Sequence, residues 1–182
     1  MAAHSPAWGA VALRAAVVAV ASVAAILAPL ATPVRAQSWQ GITGMPKVAV
    51  DIAMAQELPG LGIDAVEARV ELLLGEDRPA PTLDPNSADR LQLTISVARV
   101  SSSELRGFYL PFSGSYGIGT VRLAVQRPVR IAGRQAPVPA IVWQADRPLR
   151  GSWQASGQGV LGLIDEMVGE LLEDYRHPVP PG

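Results

Sequence analysis

The side chains that most often serve as bases or nucleophiles are scarce in this sequence. The chain has two His, one Lys (Lys47) and no Cys, so thiol chemistry, disulfides and thiolate metal clusters are excluded. His177 stands beside a proline near the C-terminus, a position typical of a helix cap or of simple solvent exposure. Lys47 lacks the serine of a Ser-x-x-Lys pair because Gly44 occupies that position, and no serine has the flanking glycines of a nucleophile elbow. We therefore predict that the protein is not an enzyme.

Carboxylates are the remaining groups with catalytic or metal-binding chemistry. Five of them fall in the last predicted helix, several at a spacing of four that puts them on one face: Asp165, Glu166, Glu170, Glu173 and Asp174. A hard cation would suit such a row, but the solvated side of an amphipathic helix explains it more simply, and we expect neither a metal nor a cofactor. The alternative function is a carboxylate-based envelope hydrolase. It needs two acids about 5 to 10 Å apart, for which Asp51 and Asp146 are the candidates.

Arginine and aromatic side chains carry the signal for binding. Alternation places Arg122 and Arg130 on the outward side of a predicted strand, where guanidinium groups can hold phosphate or carboxylate groups. Four of the nine aromatic residues fall within nine positions: Phe108, Tyr109, Phe112 and Tyr116. At a hairpin tip these rings would contact a glycan, a lipid or a protein; alternatively they cover an open edge of the core. Three glycines in the region 114–119 are interpreted as part of a flexible hairpin loop rather than a phosphate cradle.

The N-terminal 36 residues have the layout of a secretory signal peptide. Arg14 precedes an apolar run over residues 15–31, and Val34-Arg35-Ala36 supplies a signal-peptidase site. We predict cleavage after Ala36, a periplasmic or secreted location, and contact with the membrane only during export. The alternative is a single membrane anchor, although the run is at the short end for a hydrocarbon layer about 30 Å thick. The absence of Cys excludes attachment of a lipid at this site.

The remaining residues, 37–182, are predicted to form one α+β domain, ordered over about 45–177. The chain is 49% hydrophobic with a net charge of −1, which excludes a disordered, highly charged tail. Its pI of about 6.1 is too low for a typical nucleic-acid-binding protein.

Hydrophobic periodicity predicts four strands and two helices in this domain. Alternation of apolar and polar residues marks the strands, at 47–53, 91–97, 120–131 and 140–149. Pro128 suggests a bulge or an edge position in the third of them. Apolar residues three and four apart mark a first helix through Ile63, Val66, Val70 and Leu73, which Gly75 is expected to end. A longer helix carries its stripe through Val160, Ile164, Met167, Val168, Leu171 and Tyr175.

The order β-α-β-β-β-α predicts a two-layer α+β sandwich. Consecutive strands favour hairpins, so we expect a largely antiparallel sheet of about four strands with both helices on one face. The export signal, this element order and a terminal helix closing on Tyr175 resemble small periplasmic α+β proteins. More loosely, they resemble the two-layer lipoprotein that assists lipopolysaccharide assembly, except that this chain has no Cys for a lipid tether. The resemblance assigns no functional residue.

Together these features predict a non-catalytic, exported protein with a binding or assembly-support role in the cell envelope. The expected partner is lipopolysaccharide, peptidoglycan or an envelope protein. The binding site would combine the polar face of the sheet with the aromatic hairpin. A second hypothesis is an adaptor whose partner adds a strand to the sheet edge near Pro128.

Overall fold

The computed structural model describes Ile42 and residues 44–76, 79–104 and 114–177. All of them belong to one unit of the chain, Pro33–Gly182. The predicted signal peptide, residues 1–36, lies outside the described residues.

Five strands and two helices make up most of the described part of the chain. In order they are β1 (Lys47–Met54), α1 (Ile63–Glu76), β2 (Thr82–Leu83), β3 (Arg90–Ser101), β4 (Ser115–Val129), β5 (Val138–Ser152) and α2 (Ser156–Arg176), with a single 3-10 turn, Trp153–Ala155, before α2.

The strands form one mixed sheet in the order β2-β1-β3-β4-β5. β1 runs parallel to β2 and to β3, whereas β3, β4 and β5 are joined antiparallel. The predicted α+β class is confirmed, but the prediction of about four largely antiparallel strands is wrong in number and in part of the pairing. The two-residue strand Thr82–Leu83 is too short to show a period. The helix between β1 and β3 also provides the crossover that a parallel pair requires.

One face of the sheet forms the core together with both helices. Alternate residues of β3 are buried, and the antiparallel register brings those of β4 and β5 alongside them: Leu91, Leu93, Ile95, Val97, Val121, Leu123, Val125, Trp143, Ala145 and Leu149. α2 covers this face with the stripe that periodicity predicts, since Val160, Ile164, Met167, Val168 and Leu171 are all buried. Each such side chain contributes roughly 1.5–3 kcal/mol of transfer free energy.

α1 buries a narrower stripe than the sequence predicts. Val66, Val70 and Leu74 are buried at a spacing of four, whereas Ile63 is largely exposed. The helix continues through Gly75 to Glu76, so the predicted stop at Gly75 is wrong. The i, i+4 spacing explains the narrower stripe, because these three side chains stack along one line of the helix.

The two helices lie side by side and are joined by a bidentate ion pair. Arg69 of α1 donates two hydrogen bonds of 2.7 Å to the carboxylate of Asp165 in α2. α1 packs over β1 and β2, and α2 over β4 and β5. The opposite face of the sheet, called the outer face below, has no helix of the described chain on it. Within the described residues, neither helix has the length and apolar character needed to cross a membrane.

Candidate functional site

The two arginines predicted to share a binding site lie far apart. Arg122 is in the middle of β4, and Arg130 follows the end of that strand. Eight positions of extended chain separate them, which is about 26 Å. The structure therefore does not bring Arg122 and Arg130 together on one ligand-sized site.

Arg122 points to the outer face and pairs across the sheet with Asp146 of β5. Its Nε donates a hydrogen bond of 2.6 Å to Asp146 Oδ1, and the amide of Gln144 donates to the other carboxylate oxygen. The guanidinium side chain remains 56% exposed. Nε is thus held by Asp146 while most of the side chain still faces solvent.

The predicted aromatic cluster is only partly described. Phe108, Tyr109 and Phe112 lie outside the described residues. Tyr116 is not at a hairpin tip: it sits within β4 opposite Val100 and is 6% exposed. Gly117 and Gly119 are also strand residues, so the predicted loop at 114–119 is wrong beyond Gly114. Glycines at these two positions hide the strand period because they contribute no apolar side chain to the alternation.

The carboxylates suggested for a hydrolase do not face each other. Asp51 of β1 accepts hydrogen bonds of 2.9 and 3.1 Å from Arg90, and Asp146 is held by Arg122. β3 and β4 lie between their strands, and Asp146 is two residues beyond the position of β5 in line with Asp51, so the two residues lie about 16 Å apart. This separation exceeds that of a catalytic carboxylate pair.

The acidic row of α2 is engaged with arginines rather than simply solvated. Arg147 of β5 donates to Glu166 at 2.9 Å and also to Glu170. Burial lowers the pKa of Arg147, but its bonds to Glu166 and Glu170 outweigh that effect, and the pKa is raised overall. Asp165 binds Arg69. These carboxylates hold α2 to β5 and to α1, so their evident role is structural.

Three sheet-to-helix or helix-to-loop contacts were not predicted. Besides the Arg147 pairs, Trp143 donates its indole N–H to Asp174 at 2.9 Å, and Tyr175 donates its hydroxyl to the carbonyl of Met45 at 3.0 Å. One sequence signal was present: Arg147 interrupts the inward-facing series of β5 between Ala145 and Leu149. An arginine at such a position requires an acidic partner on the covering element.

A band of small hydroxyl side chains crosses the outer face beyond Arg122. Thr94 lies opposite Arg122, and Ser96 lies opposite Thr120. Arg150 of β5 is four residues past Asp146, the partner of Arg122, so the two arginines lie about 14 Å apart, with Thr120 and its neighbour Pro148 between them and Thr94 and Ser96 alongside on β3. All five side chains are exposed. Arg150 has no ion pair within the described chain. We call the three hydroxyl residues and the two arginines together the hydroxyl band.

A second exposed surface is the end of the β4–β5 hairpin, residues 127–141, called the arm below. β3 begins at Arg90, which pairs with Gln126, so beyond this point β4 and β5 pair only with each other. Ile131 is 49% exposed and Ile141 55%. Arg130 and Arg134 are also exposed, and residues 127–145 contain no acid. The arm is therefore both apolar and cationic.

Comparisons with known proteins identify no family. No protein-family model matches the chain, and no curated protein matches it. Among solved structures, the PelC dodecamer from Paraburkholderia phytofirmans is similar at 17% identity and a TM-score of 0.44, covering 76% of this chain and 95% of that one. The hypothetical protein CT253 from Chlamydia trachomatis is similar at 10% identity and a TM-score of 0.39, covering 71% and 96%. The likeness to the lipopolysaccharide-assembly lipoprotein stays a prediction.

Proposed function

We propose that this chain is a non-catalytic, exported protein of the cell envelope that binds an anionic envelope ligand on the outer face of its sheet. The hydroxyl band carries this proposal. It combines Arg122 and Arg150, about 14 Å apart by strand geometry, with the exposed hydroxyl of Thr120 between them and those of Thr94 and Ser96 alongside on β3. Phosphate or carboxylate groups at the two ends of a sugar-containing ligand would meet the guanidinium groups.

The chemistry of the band suits such a ligand. Guanidinium groups bind phosphate and carboxylate with paired N–H donors. Thr94, Ser96 and Thr120 each offer a donor and acceptor oxygen to the hydroxyl groups of a sugar. Asp146 accepts from Arg122 through Nε, which orients the guanidinium group. Lipopolysaccharide carries phosphates and peptidoglycan carries carboxylates, so both supply this chemistry.

A non-catalytic role is supported by the partners and the spacing of the acidic side chains. Asp51, Asp89 and Asp146 of the sheet region each bind an arginine. A hydrolase working through carboxylates needs one acid protonated near neutral pH and a second one close by. Asp51 and Asp146 each face an arginine instead, and their strands are too far apart to form such a pair.

The test compares two double variants of equal charge. Arg122→Gln/Arg150→Gln removes both guanidinium groups of the band, and Arg130→Gln/Arg134→Gln removes two from the arm as the matched control. Binding of the purified protein to lipopolysaccharide and to isolated peptidoglycan should be lost or strongly weakened in the first variant alone. It should also weaken with added salt, because these are surface charge contacts.

Comparison of the two ligands shows which anionic group is bound. Binding to lipopolysaccharide alone indicates phosphate recognition, and binding to peptidoglycan alone indicates carboxylate recognition. Equal binding by both variants and the wild type, or no binding to either ligand by the wild type, would refute this proposal. Melting temperatures near that of the wild type are needed to show that both variants are folded.

Strand addition by a partner protein is less well supported. Pro128 of β4 lies directly opposite Pro139 of β5. Two opposed prolines fit only a non-hydrogen-bonded pair, in which the missing amide protons would point away from the partner strand. Pro148 likewise interrupts the outer edge strand β5. Prolines on open edges are a common protection against pairing with another chain.

Export itself is tested by mass. If residues 1–36 are a cleaved signal peptide, the protein recovered from the periplasm begins at Gln37. A chain that retains Met1 and sediments with membranes would instead identify the segment as an anchor.

A further inference from the structure

We propose that copies of this protein associate head to tail, with the arm of one copy docked on the outward face of α1 of the next. The arm, residues 127–141, is cationic and apolar and projects beyond Arg90, the first residue of β3. The occupant we assign to it is a surface of opposite charge on a second copy of the same chain.

The exposed apolar side chains of the described residues concentrate at these two places. Five large ones are exposed: Ile63 and Leu72 in α1, and Val129, Ile131 and Ile141 in the arm. Leu72 is 47% exposed and lies about 160° around the helix from Val70, which is on the buried stripe. It therefore points away from the core. Burial of Leu72 against the apolar side chains of the arm would supply the apolar part of a contact. Ile63, nine residues before Leu72, lies on the opposite side of α1 and takes no part in it.

Charge complements the apolar contact. The outward side of α1 carries exposed acids on either side of Leu72: Glu71 precedes it in the chain, and Glu76 lies one turn further on. The arginine of this helix, Arg69, is held by Asp165. The arm supplies Arg130 and Arg134 and no acid. A cationic arm on an acidic helix face gives attraction and register, and it disfavours arm-to-arm and helix-to-helix contacts of like charge.

The contact has to form between molecules. α1 packs over β1 and β2, at one side of the sheet, whereas β4 and β5, which form the arm, lie at the other side. An arm cannot reach α1 of its own chain across this distance. Two different surfaces meet in such a contact, so it is heterologous and propagates into a ring or a filament rather than closing as a two-fold dimer.

The prolines of the arm define the kind of contact. Pro128 and Pro139 remove amide donors from the two strands where they lack other neighbours. Docking therefore uses side chains of the arm on the helix and not a continuous sheet between copies.

The experiment uses charge reversal on each surface separately. Arg130→Glu/Arg134→Glu reverses the arm, and Glu71→Arg/Glu76→Arg reverses the outward face of α1. The molar mass of the wild-type protein, measured by light scattering and sedimentation, should rise above that of a monomer with increasing concentration. Each variant alone should stay monomeric under the same conditions.

Mixing the two variants tests directly whether the arm pairs with α1. An equimolar mixture of the two monomeric variants should assemble again, because the acidic arm of one then matches the basic helix of the other and the unaltered surfaces also match. Arg122→Gln/Arg150→Gln, on the outer face, should assemble like the wild type, which separates this inference from the ligand-binding proposal.

A wild-type protein that stays monomeric at all concentrations would overturn the inference. So would assembly that the α1 variant retains in full, since the arm would then dock on something other than α1. Loss of assembly in both variants without recovery on mixing would also count against it.

Discussion

The indole N–H of Trp143 in β5 donates a hydrogen bond of 2.9 Å to Asp174 Oδ2 near the end of α2. Trp143 is among the most completely buried side chains of the core, so this bond joins the centre of the sheet to the C-terminal part of the helix. An indole N–H has only one possible use, as a donor, and burial without a partner is costly.

Replacing the acceptor is therefore expected to destabilise the fold. Asp174→Ala should lower the free energy of unfolding by about 1–3 kcal/mol, the cost of leaving a buried donor unsatisfied. Asp174→Asn keeps an acceptor oxygen and should cost less. Glu173→Ala, at an exposed neighbouring position, is the control. Urea unfolding followed by tryptophan fluorescence measures all three, and equal midpoints for the two alanine variants would contradict the role given to this bond.

The stripe of α2 offers a second test, with two leucines in opposite environments. Leu171 is buried against the sheet, whereas Leu72 of α1 is about half exposed. Leu171→Ala should cost about 2–5 kcal/mol because it removes buried methyl groups and leaves a cavity. Leu72→Ala should change the stability of the monomer by less than about 0.5 kcal/mol, as is usual at the surface. Similar melting temperatures for the two variants would mean that α2 does not pack as described.

The sequence predicts the elements whose buried residues follow one period. β3 alternates strictly from Leu91 to Val97, and α2 repeats at three and four, so both are found where the pattern indicates. The parallel pairing of β1 is not predictable in this way, because periodicity reports which face is buried and says nothing of the neighbouring strand. β2 is missed since two residues contain no period.

Site residues are predicted less well for a related reason. Alternation does indicate that Arg122 faces outward, but the distance from Arg122 to Arg130 depends on how far β4 continues as an extended strand. Arg150 shows no distinguishing local pattern, and it becomes notable only through the register that puts it on the same face as Thr120. The sequence does contain a signal for the pairing of Arg147 with Glu166 and Glu170, because this arginine falls at an inward-facing position of β5.

Two glycines should respond in opposite directions to the same substitution. A Cβ atom at Gly119 would lie 1.9 Å from the carbonyl oxygen of Ser96, whereas nothing lies within 4 Å of one at Gly162. Gly119→Ala should destabilise the protein at or beyond the upper end of the about 1–3 kcal/mol cost of overpacking, because backbone must move. Gly162→Ala, within α2, should stabilise it by about 0.5–1 kcal/mol through helix propensity.

Thermal unfolding of both alanine variants checks this contrast. A Gly119→Ala protein that melts near the wild-type temperature would show that β3 and β4 are not as close as the geometry indicates. Gly169→Ala is a replicate of the stabilising change, since that site is also in α2 with open space around it.

Asp84 gives a prediction for the pH dependence of stability. Its carboxylate accepts hydrogen bonds of 3.0 Å from Lys47 Nζ and of 3.0 Å from the backbone N–H of Asn86. The bond from Lys47, followed by the one from Asn86, holds the pKa of Asp84 below its ordinary value. The folded state thus binds this proton less readily than the unfolded state. The stabilisation is complete above the unfolded pKa, about 3.9 for Asp, and is lost as the pH falls through the lower folded value.

The Asp84→Asn variant should therefore be less stable than the wild type at neutral pH, with a difference that shrinks as the pH is lowered below about 4. Lys47 begins β1 and Asp84 directly follows β2, so the change acts on the outermost strand pair of the sheet. Urea midpoints at several pH values measure it, with Glu57→Gln, at an exposed loop position, as the control for loss of a carboxylate. Added salt should reduce the difference at neutral pH, because the Lys47 ammonium group is largely exposed. A difference that grows toward acid pH would contradict the sign derived from the pKa of Asp84.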